Sequence, residues 1–400
     1  PAPAERLTVR HLEGRDIVCV GFADWNTELW TNQHHLMSRL SRSSKVLFIE
    51  SLGLRKPTVA RRDIARLLRR LVSGLRPPRH SGGVYVLSPL VLPFHGSAFA
   101  RRLNRRLLAL IVGSWSRRLG IKDPVLWAYV PQAEVLLESL RPSLVVYHCV
   151  DDIAAHERID RPSFEALEAR YASRADLVLA SAPSLVERLR PVAPDVRYMP
   201  NVADVDLFAR ALESGPADPA IEALPPPRAV FTGAVVANKV DLRLVVDLAR
   251  ARRDWSFALV GPIGLGDPTT DVSMLEKEPN IHLLGPRPHE ALPTVLRAAD
   301  VGLIPYALNE LTAGVFPMKV YEYLAAGLPV LATALPSLAG VEGVVIATSA
   351  GEAAAALDTW GTEDAGARRE RSAIASGHSW EDRLREIDAA IGELQWPKSS

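Results

Sequence analysis

Short apolar runs alternate with longer, helically spaced stretches along most of this chain. In the first half the runs are Ile17–Gly21, Val46–Glu50, Val84–Leu87, Val125–Tyr129, Leu144–Cys149 and Leu177–Ala180. They are apolar on successive residues rather than alternate ones, the pattern of strands buried on both faces. Helical patterns separate most of them, which predicts a parallel sheet covered on both sides. After about Asp206 the texture changes, and ALESGPADPAIEALPPPR reads as a linker or domain edge. A second series of strands follows at Ala229–Thr232, Ser256–Val260, Ile281–Leu284, Val301–Pro305, Val330–Thr333 and Val344–Ala347. The final helix, Ser379–Leu394, is amphipathic. The expected organisation is α/β: a Rossmann-like domain over 1–205, a linker over 206–227 and a second Rossmann-like domain over 228–378. A closing helix in 379–400 is available to pack back on the first domain. Two such sheets are expected to bind ligands at the carboxyl ends of their strands, facing a cleft.

The segment Leu311 to Thr333, LTAGVFPMKVYEYLAAGLPVLAT, is the most informative stretch. A Gly-containing loop runs into Pro317, whose fixed φ and missing N–H suit a first helical turn. Lys319 follows in that turn and Glu322 lies three residues on, on the same face. Gly327 ends the helix and a buried strand follows. A helix start offers unpaired N–H groups and the positive end of a dipole, which suit a diphosphate. Lys319 adds a charge there, and Glu322 can accept hydrogen bonds from a sugar diol. The plain alternative is a solvated pair on an ordinary amphipathic helix.

Composition narrows the class. With 400 residues, 48% of them hydrophobic, the chain can bury a large core. The net charge of +1 conceals a basic stretch, residues 55–118, with fifteen Lys or Arg against the single acid Asp63. Within it, TVARRDIARLLRRLVSGL and AFARRLNRRLLALIV are basic amphipathic patterns. They suit peripheral contact with an anionic membrane, or attraction of an anionic acceptor, or simply a solvated face. No aromatic-interleaved basic motif points to nucleic acid. No apolar run reaches the length of a membrane span, and PAPAERLTVR lacks the core of a signal peptide. Cys19 and Cys149 lie in apolar runs and read as buried free thiols. The expectation is a cytoplasmic protein, peripheral at the inner membrane face where the basic stretch engages lipid.

Several pieces, in register, carry a family resemblance. PMKVYEYLAAGLPVLAT resembles the donor-site helix of GT-B glycosyltransferases, and FTGAVVANKVDLRLVVDLA the glycine loop and lysine region that opens their C-terminal domain. NIHLLGPRPHEALPTVLRAADVGLIPY resembles the nucleobase segment. YMPNVADVDLF resembles the interdomain motif, with Ala203 in place of the usual glycine, and SWEDR resembles the start of the closing helix. In the first half, WNTELWTNQHHLMSRL, VLFIES and VVYHCVDD resemble bacterial enzymes of the teichuronic-acid and glucuronosyltransferase kind.

The resemblance implies a GT-B, family 4-like transferase using a nucleoside-diphosphate sugar (UDP, GDP or dTDP) with no further cofactor and no metal. It places Lys319 near the donor phosphates and Glu322 at the ribose. Gly233, Lys239, Gly285, Arg287, Gly314, Pro317 and Met318 complete the expected donor set. Retaining members carry a second Glu eight residues before Glu322, where this chain has Gly314, which favours inversion. The acceptor, small or lipid-linked, is expected near Gly21, Trp25, Asn26, Gln33 and His35. A base is needed to deprotonate its hydroxyl or amine. Asp151 and Asp152, at the carboxyl end of a strand, are the leading candidates, with one as base and the other capping the next helix; His34 is the rival. Asp204-Val205-Asp206 superficially matches a metal motif but fits turn chemistry better.

A Rossmann dehydrogenase would need GxGxxG after the first strand, and GFADWN does not supply it. A sugar-nucleotide epimerase or hydrolase of the same fold, and a non-catalytic nucleotide-sugar-binding scaffold, are the other readings. Nucleotide release without an acceptor distinguishes the former, and indifference to loss of Asp151 and Asp152 the latter.

Overall fold

A computed structural model describes residues 10–27, 29–51, 77–89, 98–156, 159–360 and 365–394. The first amphipathic pattern of the basic stretch, 58–75, lies outside the described residues. The chain forms two compact units, Pro1–Met199 with Leu384–Ser400, and Pro200–Arg383.

The first unit is built on strands β1 (Ile17–Val20), β2 (Val46–Ile49), β3 (Arg79–Ser81), β4 (Val84–Leu87), β5 (Val125–Ala128), β6 (Leu144–Cys149), β7 (Leu177–Ala180) and β8 (Val196–Tyr198). Their order is β3-β4-β2-β1-β5-β6-β7-β8. All neighbours are parallel except β3 and β4, which form an antiparallel hairpin at one edge. The sheet order reverses between β1 and β5, so the loops after these strands flank the crevice where open sheets take ligands. The apolar runs of β1, β2, β5, β6 and β7 are buried throughout, as continuous hydrophobic strands require. Strands β3 and β8 were not expected. They are short, partly exposed edge strands with polar residues, and carry no apolar run to betray them. The second basic pattern is realised as a long helix, Ala98–Arg118.

The second unit contains β9 (Arg228–Thr232), β10 (Ser256–Val260), β11 (Ile281–Leu283), β12 (Val301–Ile304), β13 (Val330–Thr333) and β14 (Val344–Ala347), all parallel, in the order β11-β10-β9-β12-β13-β14. This is the Rossmann order, with its switch point between β9 and β12. The expected linker over 206–227 is corrected in part. Phe208 and Ile221 are fully buried in the core of this unit, and Asp218 caps a short helix, Pro219–Glu222. The Ala, Pro and Gly content that suggested a linker lies partly in short helices and partly in exposed turns, one of them held by Arg297 Nη1 on Pro216 O.

The closing helix, Trp380–Glu393, begins under the cap of Ser379, whose hydroxyl accepts the Asp382 amide at 3.0 Å. From Leu384 onward it belongs to the first unit. There Leu384 and Ile387 are buried, and the Asp388 carboxylate accepts the amides of His11 and Leu12. Cys19 and Cys149 are buried free thiols, each pushed well above the ordinary thiol range by burial. Among the described residues no helix is long and apolar enough to cross a membrane.

Candidate active site

At the switch point of the second unit, β9 ends at Thr232 and the chain turns at Gly233, whose φ is +132°. The Gly233 amide donates to Val260 O at 2.8 Å. A Cβ on Gly261 would meet Gly233 O at 1.9 Å, so the loops after β9 and β10 can touch only because position 261 is glycine. The Tyr323 hydroxyl accepts the Thr232 amide at 2.8 Å and so satisfies the end of β9. Tyr323 packs over Gly302, where a Cβ would stand 2.3 Å from its ring. The predicted helix is present as Lys319–Ala325. Pro317 O and Met318 O already accept from Val320, Tyr321 and Glu322, so Pro317 stands at the first turn as expected.

This arrangement brings Gly233 and Lys319 together. The Lys319 ammonium lies 5.6 Å from the Phe231 ring centroid, within cation–π range. Burial opposes its charge, yet Tyr306, Glu322 and Tyr323 hold it above the usual lysine range. Among the described residues the amides of Met318 and Lys319 find no acceptor. The loop before them is fixed from two sides: Ser337 donates to Val315 O at 2.6 Å, and Asn201 Nδ2 donates to Phe316 O at 2.9 Å. Glu322 is buried, 8% exposed, and its carboxylate makes no hydrogen bond or ion pair among the described residues. The result is a fixed cation, two open amides and an open acid at one helix start, an arrangement suited to a phosphate and a diol.

The other expected donor residues are less uniform. Lys239 is half-buried and its carbonyl accepts the Ala307 amide at 2.9 Å, which ties the loops after β9 and β12 together. Gly285 turns at φ +70° with open space where a Cβ would be. The Arg287 side chain is committed elsewhere: Nε pairs with Asp218 at 2.7 Å and Nη1 with Leu284 O at 2.9 Å. That leaves only its backbone for a nucleobase. Gly314 is buried at the end of a short helix, Glu310–Ala313, with φ −87°, a conformation open to any residue.

In the first unit β6 delivers Asp151 and Asp152 at its carboxyl end, both half-buried. The structure separates them. Asp152 lies 3.6 Å from Arg188 Nη1, and that guanidinium is itself clamped by Glu168 at 2.6 Å. The Asp151 carboxylate makes no hydrogen bond or ion pair among the described residues. Glu168 also accepts from the Tyr147 hydroxyl at 2.5 Å, and burial raises its carboxyl despite Arg188. The expectation that one aspartate caps the following helix is corrected. Asp152 precedes a short 3-10 turn, Ile153–Ala155, without a side-chain cap bond, because its carboxylate turns to Arg188 instead.

The acceptor set needs a larger correction. His34 is fully buried; its Nδ1 accepts the Thr31 amide at 3.1 Å, so the proton sits on Nε2, which donates to Asp24 O at 3.0 Å. Burial lowers its pKa. With both nitrogens engaged, His34 has no lone pair for a substrate proton. Gln33 is likewise buried, and its Oε1 accepts the Phe22 amide at 3.0 Å. Trp25 is buried against Phe48, with its amide on Glu50 Oε1 at 2.9 Å, and His35 is buried too. Gly21 is glycine because a Cβ would meet Phe48 Cζ at 2.4 Å. Of the expected acceptor residues only Asn26 is exposed; Trp30, later in the same loop, is exposed as well. The cluster holds the loop after β1; its polar residues, next to each other in sequence, turn inward because the loop is closed by side-chain bonds to backbone.

Asn201, Gly261, Tyr306, Tyr323, Glu168 and Arg188 were not among the expected site residues. Asn201 stood inside a quoted motif and Gly261 after a predicted strand, so a signal existed for both. Glu168 and Arg188 lie on helices with ordinary charged faces and meet only in the fold.

Residues 226–360 match the family described as Glycosyl transferases group 1. Over 229 residues the chain is 28% identical to a putative teichuronic acid biosynthesis glycosyltransferase, TuaH, of Bacillus subtilis, covering 53% of this chain and 56% of that protein. The match therefore spans little more than half of that relative. Sucrose-phosphate synthase from Thermosynechococcus elongatus superposes with a TM-score of 0.66 at 17% identity, over 95% of this chain and 99% of that one. Anabaena HepE, solved in complex with UDP and glucose, superposes with a TM-score of 0.63 at 16% identity, over 94% and 99%. The fold is thus the one these GT-B structures share, and the match to the group 1 glycosyl transferases lies in the second unit.

Proposed function

We propose that this chain transfers a glycosyl group from a nucleoside-diphosphate sugar to an acceptor hydroxyl or amine, with inversion at the anomeric carbon. The observation that carries the reading is the convergence of Lys319, Gly233 and the open Met318 and Lys319 amides at one switch point, with Glu322 one turn on. In this reading Lys319 and the amides hold the diphosphate, and Glu322 takes the ribose hydroxyls. Asp151 is the base. It removes the acceptor proton as the acceptor oxygen or nitrogen attacks the anomeric carbon. The bond from that carbon to the phosphate oxygen breaks, and the negative charge of the departing nucleotide falls on Lys319 and the amides rather than on a metal ion. Gly314, in the position of the second carboxylate of retaining members, supports inversion.

UDP is the first nucleotide to test, because a structural neighbour was solved with UDP. GDP and dTDP are the comparators. A ligand that binds only the folded state raises the melting temperature. A shift by one of the three nucleotides, abolished in Lys319→Met, supports the reading; no shift with any of them contradicts it.

The reading extends to an anionic, lipid-linked acceptor drawn by the basic stretch 55–118. The exposed Arg102, Arg105, Arg106, Arg117 and Arg118 on the helix Ala98–Arg118 support it, together with Leu110, 66% exposed among them. Co-sedimentation with anionic, but not neutral, vesicles tests this point.

A further inference from the structure

Two adjacent carboxylates at the end of one strand present a chemical difficulty. If both faced the acceptor, each would disfavour the other's charge and compete for the same proton. The structure assigns Arg188 the task of removing Asp152 from that competition, leaving Asp151 as the single open carboxylate. We infer that Arg188 is a positioning residue and Glu168 its anchor; the inference rests on the reading of Asp151 as base.

The geometry has three parts. Arg188, on the helix Pro183–Leu189, is only 26% exposed, and Glu168, on the helix Arg161–Ala172, only 5%. Their contact at 2.6 Å is a charge-assisted bond in a poorly hydrated place. Glu168 is fixed on its other oxygen by the Tyr147 hydroxyl of β6, so its carboxylate cannot swing away. The guanidinium also touches β6 directly, with Nη2 3.8 Å from Cys149 Sγ. Arg188 is thus held against the end of β6, just before Asp151 and Asp152. Its remaining reach goes to Asp152 Oδ1 at 3.6 Å, an oxygen that is buried and has no hydrogen-bond donor of its own. A buried carboxylate oxygen without a hydrogen-bond donor is stabilised by a nearby cation. The charge on Arg188 therefore both neutralises Asp152 and sets the direction of the Val150–Asp152 turn.

This role differs from substrate binding. A group that contacted the acceptor would be missed whatever residue stood at 152. A group that restrains Asp152 becomes dispensable once that charge is gone. Steady-state kinetics of the full chain, with a UDP-sugar and an acceptor identified by turnover, can separate the two. Asp152→Asn is expected to keep kcat within about threefold of the parent. Arg188→Met is expected to lower kcat by about 30- to 100-fold with the donor KM unchanged, because a displaced base loses its geometry. Arg188→Met combined with Asp152→Asn is expected to recover about tenfold or more of that loss, and Arg188→Lys, which keeps a cation, to stay within about fivefold of the parent. Melting temperatures accompany each variant. A folded double variant no faster than Arg188→Met overturns the inference, as does an inactive Asp152→Asn or an Arg188→Met at parental rate. Should Arg188→Met fail to fold, Arg188→Lys and Asp152→Asn decide alone: a loss of about 30-fold or more in either overturns it. Asp151→Asn tests the underlying reading separately, since parental activity there removes Asp151 as base whatever Arg188 does.

Discussion

A Cβ on Gly233 would stand 2.7 Å from Cε and 2.8 Å from Nζ of Lys319, so the end of β9 and the start of the helix Lys319–Ala325 share one space. The glycine is what lets the ammonium lie against the backbone turn. Gly233→Ala adds a methyl group at that position and at a φ that L-residues resist. We expect nucleotide affinity to fall by about tenfold or more, or roughly 1.4 kcal/mol or more. Calorimetric titration checks this; parental affinity would mean that the lysine does not use this position when ligand is bound.

Lys319 also makes a prediction about pH. Its folded pKa is raised, so the stability its charge contributes is fully present below the ordinary lysine value of about 10.4 and is lost only as pH rises through the still higher folded value. The ammonium therefore persists across the working range. The ratio of nucleotide affinities of the parent and Lys319→Met should stay constant between about pH 7.5 and 9.5. A ratio that drifts towards one as pH rises would show the lysine losing its proton there.

His34 behaves in the opposite sense. Its pKa is lowered by burial, so the unfolded chain takes up the proton first, and the stability that neutral His34 supplies is lost as pH falls below about 6.5 towards the folded value. His34→Gln should flatten that acid loss and cost about 1–2 kcal/mol at neutral pH through the two buried bonds. Turnover per folded molecule should remain within about threefold, since no lone pair is free for catalysis. Denaturant melts at about pH 5.5 and 7.5, on either side of the free-histidine value, with parallel kinetics check both. A large loss of kcat at unchanged stability would return His34 to the list of bases.

Much of this was legible in the chain because it rests on local rules. Buried parallel strands must be apolar on successive residues, and Pro317, Lys319 and Glu322 acquire their relation from helix geometry alone. What escaped depends on partners distant in sequence. Gln33 and His34 look like polar residues facing substrate until the loop after β1 closes over them and supplies backbone partners at Phe22, Asp24 and Thr31. Asp151 and Asp152 are chemically alike in sequence, and become different only when Arg188 and Glu168 arrive from two later helices. Edge strands β3 and β8 are short and partly solvated, so composition carries no trace of them.

The most direct measurement is calorimetric titration of UDP into the parent chain, Lys319→Met and Asp151→Asn at neutral pH. We predict that the parent binds, that Asp151→Asn binds equally well, and that Lys319→Met binds about 10- to 100-fold more weakly, as expected for one lost charge-assisted contact. Equal UDP affinity in the parent and Lys319→Met would contradict the assignment of the diphosphate to this helix start.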